Sequence, residues 1–182
     1  MGAFMIYSGL LQPPTKVTFQ YNPATLQHAF VPQSVSQTGQ NQDPYQVKGQ
    51  PIETISLEAE FDATDQLEFP GQNPTAAQSG VYPQLAALES IMRPLLAAPT
   101  DSPYTVFVWG TTLVVPVLLT SCVVTEEAFD TSLNPIRAKA SIVMRVLAAE
   151  DFPLLHPGRK AYEDYLKKLG ELANLVQEGA RI

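Results

Sequence analysis

Hydrophobic and polar positions alternate with a period of two along much of this chain. Ile55, Leu57, Ala59 and Phe61 interleave with Thr54, Ser56, Glu58 and Glu60, which predicts a strand with one buried and one wet face. Ile136, Ala138, Ala140, Ile142, Met144 and Val146 alternate in the same way with Arg137, Lys139, Ser141 and Arg145. A shorter run, Lys16 to Tyr21, puts Val17, Phe19 and Tyr21 on one face, and Asn22-Pro23 turns it back into Thr25 to Val31. Tyr104 to Trp109 is apolar throughout, the pattern of a strand covered on both sides, and Gly110-Thr111 turns it into Leu113 to Thr125. Pro116 inside that last run predicts an edge position or a bulge, because proline has no amide to offer a neighbouring strand.

The period changes to a helical one in two places. Leu85, Leu88, Ile91, Met92, Leu95 and Leu96 form one stripe over Tyr82 to Ala97, with Pro94 kinking or ending the last turn. Near the C-terminus, Gly158 to Gln177 carries Tyr162, Tyr165, Leu166, Leu169, Leu172, Ala173 and Val176 in one stripe, after a break at Pro157-Gly158. Two polar stretches, Pro32 to Gln50 and Asp62 to Ser79, read as long loops. The expected architecture is mainly β (α+β): an antiparallel barrel or sandwich of five or six strands, with one inserted helix and a C-terminal helix. Residues 1–151 make the β-domain, and residues 152–182 make a linker and the amphipathic helix.

Composition narrows the class. Sixteen prolines in 182 residues argue against a mostly helical protein. A 45% hydrophobic content supports an ordinary core, and 16% charged is too little for a coiled coil or a disordered tail. The net charge of −7 and the lack of any basic run argue against nucleic acid as a partner. Five of the eleven Lys and Arg but only four of the eighteen Asp and Glu lie beyond Asp151, so the acidity belongs to the β-domain. One cysteine, Cys122, forms no internal disulfide. Met1 to Leu11 lacks the positive n-region of a signal peptide, and the apolar run Leu113 to Val124 is about half a membrane span. The expectation is a soluble protein made in the cytoplasm, without direct membrane insertion.

Candidate chemistry is thin. His28 and His156 lack metal-ligand spacing, and Cys122 sits among Val and Leu as a buried, inert thiol would. Glu58 and Glu60 share a strand face, as the carboxylates of glycosidases can. The plainer reading is a solvated face paired with Arg137, Lys139 or Arg145 on a neighbouring strand. Asp62, Asp65 and Glu68 lack the glycine that a calcium loop needs. No catalytic residue, metal or cofactor is expected, and the protein reads as a non-enzyme.

The ordered segments carry more. Phe19-Gln20-Tyr21-Asn22-Pro23-Ala24-Thr25-Leu26 resembles the opening of the tube-type proteins of contractile injection systems, the phage-tail-like particles. Gly49-Gln50-Pro51 leading into Ile55 to Asp62 is similar to that family's second block. A helix like Leu85 to Met92 follows, then the strand phrase Tyr104-Thr105-Val106-Phe107-Val108-Trp109-Gly110. Val117 to Val124 and Asn134-Pro135-Ile136-Arg137-Ala138 through Val146 resemble its closing hairpin. The resemblance spans roughly residues 1 to 150. It implies a structural ring subunit, a homo-hexamer that joins the inner tube to the spike and baseplate hub. Spike protein, inner tube protein and baseplate components are then its partners, and it belongs to a particle released or membrane-attached after assembly. Many members of this subtype continue into a LysM module, whereas here a linker and one helix follow the β-domain.

Two sets of contacts follow from that implication. Glu58, Glu60, Arg137, Lys139 and Arg145 form a polar face for the lumen or an interface. Tyr162, Tyr165, Leu166, Leu169, Leu172 and Val176 form a stripe worth on the order of 10 kcal/mol when covered, at ~1.5–3 kcal/mol each. That stripe docks either on its own domain or, as favoured here, on a subunit or baseplate partner. The alternative function is a monomeric β-barrel binding a small apolar ligand, with Tyr104 to Trp109 as pocket and the loop Pro32 to Gln50 as lid.

Overall fold

Alternation becomes burial in the computed structural model, which describes residues 2–7, 13–33, 49–92 and 104–179. In chain order the elements are β1 (Gly2–Tyr7), β2 (Thr15–Thr18), β3 (Leu26–Val31), β4 (Ile52–Asp62), α1 (Thr64–Leu67), α2 (Pro74–Ser79) and α3 (Tyr82–Met92). After them come β5 (Tyr104–Trp109), β6 (Leu113–Phe129), β7 (Pro135–Val146), a 3-10 turn at Ala149–Asp151 and α4 (Pro157–Gly179). The strands form one antiparallel seven-stranded sheet in the order β2-β1-β5-β6-β7-β4-β3. The fold is mainly β, as the alternation implied, and the sheet is not closed, which is consistent with the expected sandwich or with an open form of the barrel.

Length explains how one sheet encloses a core. The 17-residue β6 is too long for either neighbour alone. Its residues 113–117 pair with β5, and its residues 117–129 pair with β7. A register shift between Leu119 and Ser121 bends the strand where the two halves meet. The halves fold over one core containing Phe4, Phe19, Ile55, Leu88, Phe107, Val115, Ile142 and Met144. Phe4 meets Phe19 and Phe107 at ring separations of 5.4 and 5.5 Å.

The two outer strands, β2 and β3, are consecutive in sequence, and residues 19–25 cross the gap between them. Gln20 bridges that gap: its Oε1 accepts from the Asp62 amide at 3.0 Å, and its Nε2 donates to the Asp62 carbonyl. The side-chain amide thus stands in for a missing ladder pair.

Several expectations need correction. Pro116 lies in an interior strand, and the bulge falls three residues later. Its carbonyl accepts from the Leu147 amide just past the end of β7. A strand residue's amide and carbonyl point the same way, so the missing donor falls where that ladder is already ending. Asp62 to Ser79 holds α1 and α2 in place of a loop, so three helices are inserted where one was expected. Pro157-Gly158 opens α4 instead of breaking the chain, since proline fits a first helical turn. Among the described residues there are seven strands where five or six were expected. The addition is β1, an edge-ward strand between β2, the next strand in sequence, and β5, which lies far along the chain. Most of the loop Pro32 to Gln50, and Pro94 to Ala97 of the helical stripe, lie outside the described residues.

Candidate assembly surfaces

The wet face of the alternation is charged and internally paired. Glu60 stands 3.8 Å from Lys139, opposite it across β4 and β7. Arg137 reaches Asp62 at 3.2 Å, and Arg145 holds Asp151 with contacts of 2.6 and 2.8 Å. Glu58 is exposed beside Ser141. Burial pulls the Asp62 carboxyl up, but hydrogen bonds from Thr64 and the Arg137 charge outweigh it and hold that carboxyl below the usual range. Exposed pairs of this kind are worth about 0–1 kcal/mol each, so they add little to stability. Two shallow depressions lie on it, one of them walled by Tyr21, Glu60, Asp62, Glu127, Arg137 and Lys139.

Beside this face lie unpaired strand edges. Among the described residues, β3 pairs only with β4, and residues 118–129 of β6 pair only with β7. Among the described residues the four-stranded half β6-β7-β4-β3 thus lacks a strand neighbour beyond β3 and, over residues 118–129, beyond β6. Such edges invite pairing with another chain.

The C-terminal stripe is divided. Tyr162 and Tyr165 are buried in the chain's own core. Leu166, Leu169 and Val176 stay 37, 41 and 73% exposed, with Leu172 half-buried. What holds the near end is Glu53, which the periodicity argument passed over. The Tyr165 hydroxyl donates to both Glu53 carboxylate oxygens at 3.2 Å, and His28 Nδ1 lies 2.9 Å from one of them. β3, β4 and α4 thus meet at one buried carboxylate. The signal was present in the sequence: Glu53 has the same parity as Ile55, Leu57 and Ala59, so it points inward, where a carboxylate needs donors.

Burial, reinforced by the Glu53 charge, pushes the Tyr165 phenol far above the ordinary tyrosine value. The folded state favours the neutral phenol, so its contribution is complete below pH ~10 and declines as pH rises through the raised folded value. In an alkaline titration followed by tyrosinate absorbance, Tyr165 should ionise last of the seven tyrosines. Tyr165→Phe should remove that last step. A titration unchanged by the substitution would show that Tyr165 is not held as described.

Cys122 is half-buried, and burial with the nearby Glu89 charge raises its thiol, which stays protonated at neutral pH. None of the described helices is long and apolar enough to cross a membrane.

Among the described residues, then, the structure is an open antiparallel sheet with a charged face, in which β3 and residues 118–129 of β6 have a strand neighbour on one side only. The family model described as contractile injection system tube protein matches residues 10–151. The chain belongs to that family, whose members are structural components of contractile injection systems. No curated protein shows significant similarity to it.

Proposed function

We propose that this chain is a ring subunit that joins the inner tube of a contractile injection system to its spike and baseplate hub. The observation that carries the reading is that, among the described residues, the four-stranded half has a strand edge without a paired neighbour on each side, β3 on one and residues 118–129 of β6 on the other. Edges on opposite sides of one sheet make a head-to-tail contact that closes into a ring when the rotation allows, here a homo-hexamer. In such a ring the sheets of all copies continue into one another. The face bearing Glu58, Glu60, Arg137, Lys139 and Arg145 then meets water in the lumen or at the joint between copies. The exposed part of the α4 stripe, Leu166, Leu169, Leu172 and Val176, then reaches a spike or baseplate partner. Assembly takes place in the cytoplasm, without nucleic acid and without membrane insertion of this chain.

The interior gives no support to the ligand-binding alternative, because Phe4, Phe107, Ile55, Leu88, Ile142 and Met144 fill it. Light scattering tests the ring directly. The purified chain should have the mass of a hexamer, or reach it when its cognate spike is added. Particles assembled without it should lack the junction between tube and spike. A chain that stays monomeric with spike and tube proteins both present would overturn the proposal.

A further inference from the structure

β3 stops pairing before β4 does. At this end its last pair is Leu26 with Leu57, whereas β4 runs on to Asp62. Residues 19–25 form no strand beside that extension. Gln20 spans the gap at Asp62, where its side-chain amide exchanges two hydrogen bonds with the backbone. Asp62 therefore directs its N–H and C=O away from β7 and into the gap. Peptide groups alternate sides along an antiparallel strand, so Glu60 directs its own N–H and C=O the same way. Among the described residues no strand pairs with Glu60 on that side.

The gap opens as a depression of about 160 Å³, walled by residues 21–25 on one side and by Glu58 and Glu60 on the other. That is below the roughly 300–1,000 Å³ of a small-molecule pocket, and it suits one long side chain. Tyr21, 44% exposed, stands in this wall, so an aromatic ring lies beside two carboxylates. Glu60 is paired only with the exposed Lys139, at 3.8 Å, and no cation among the described residues lies within ion-pair distance of Glu58. A free carbonyl, two carboxylates and a ring match a guanidinium, whose planar fork donates in several directions and stacks on aromatic faces. A second copy is poorly equipped to supply one. Its described arginines, Arg137, Arg145 and Arg159, already hold Asp62, Asp151 and Glu163. The long edge of β6 carries Glu126 and Glu127, which Glu58 and Glu60 repel.

We propose that this cleft is a socket for an arginine side chain of a different protein. The guanidinium donates to the Glu60 carbonyl, as the Gln20 amide does to the Asp62 carbonyl. Its remaining N–H groups meet the Glu58 and Glu60 carboxylates beside the Tyr21 ring. The socket is complete on one chain, so it stands apart from the ring reading.

N-acetylarginine N-methylamide serves as the probe, titrated into the deuterated full chain and followed by NMR. It should shift the Glu60 and Tyr21 amide signals saturably. The lysine analogue should bind about threefold more weakly, because it lacks the fork, and the uncharged citrulline analogue should not bind. A chain carrying Glu58→Gln and Glu60→Gln should melt with the parent, since both side chains are exposed, and should bind the arginine probe about tenfold more weakly. Tyr21→Leu should weaken the arginine probe about threefold. Equal shifts from all three probes, or shifts unaltered in the double variant, would overturn the socket, as would no saturable shift up to the probe's solubility. Shifts at Glu60 that grow with protein concentration in the absence of probe would overturn a different protein as the occupant. A chain that binds the probe yet never forms a ring would overturn only the ring reading.

Discussion

Removing residues 158–182 should destabilise the β-domain by roughly 4–9 kcal/mol, enough to unfold many domains of this size. Tyr162 and Tyr165 are core residues, and losing each forfeits about 1.5–3 kcal/mol of burial. Glu53 would also lose the hydrogen bond that the Tyr165 hydroxyl shares between its two oxygens, for about 1–3 kcal/mol more. A shorter truncation should behave differently. Ending the chain after Leu166 keeps both tyrosines, and the described side chains that it removes, up to Val176, are exposed or half-buried. Its stability should stay within about 1 kcal/mol of the parent, while incorporation into particles falls. Thermal melts of the two truncations, with a particle-assembly assay on the shorter one, test both halves of the claim. Equal melting of parent and 158–182 deletion would show that α4 is not part of the core. Normal particle incorporation of the shorter truncation would show that the exposed stripe has no partner.

Gly80→Ala should cost more than about 3 kcal/mol, large for a single added methyl group. Gly80 joins α2 to α3 at φ of +56°, and a Cβ there would lie 2.1 Å from the Pro135 carbonyl oxygen. That same oxygen accepts from the Val81 amide at 2.9 Å, so the helices and the turn end of the β6–β7 hairpin are locked backbone to backbone. Neither side can yield without losing the hydrogen bond. Gly110→Ala is the natural control, because φ there is +67° but nothing lies within 4 Å of the added atom. It should cost about 1 kcal/mol, the left-handed conformation alone. Chemical denaturation of both variants measures the difference. Equal losses would place the whole effect in backbone conformation and none in the contact with Pro135.

Most of the strands were legible because a half-buried strand writes its exposure into every second residue. Ile55 to Phe61 and Ala138 to Val146 are buried at each position the period assigns. α3 was legible as far as Met92 for the same kind of reason at a helical period. β1 was not. Gly2–Tyr7 is mostly apolar without clean alternation, and its place as a strand comes from Phe4 opposite Val17 on one side and Phe107 on the other. Pro116 misled because a missing donor looks the same in sequence wherever it falls. Only the ladder's end at Val146 makes it harmless in an interior strand.

By itself the sequence determined the mainly β class, the wet and dry faces of β4 and β7, the amphipathic character of α4, and the ordered motifs of a tube-type protein. These follow from local period, composition and short-range motifs. Tertiary structure alone decided which strands are neighbours, since a period of two names a face and never a partner. It made β6 common to both halves and left β3 unpaired on one side. It also set Gln20 against Asp62, brought His28 and Tyr165 to Glu53, and divided the α4 stripe between core and solvent. Each of these joins residues far apart in the chain, and their meeting depends on how the whole sheet curls around its core.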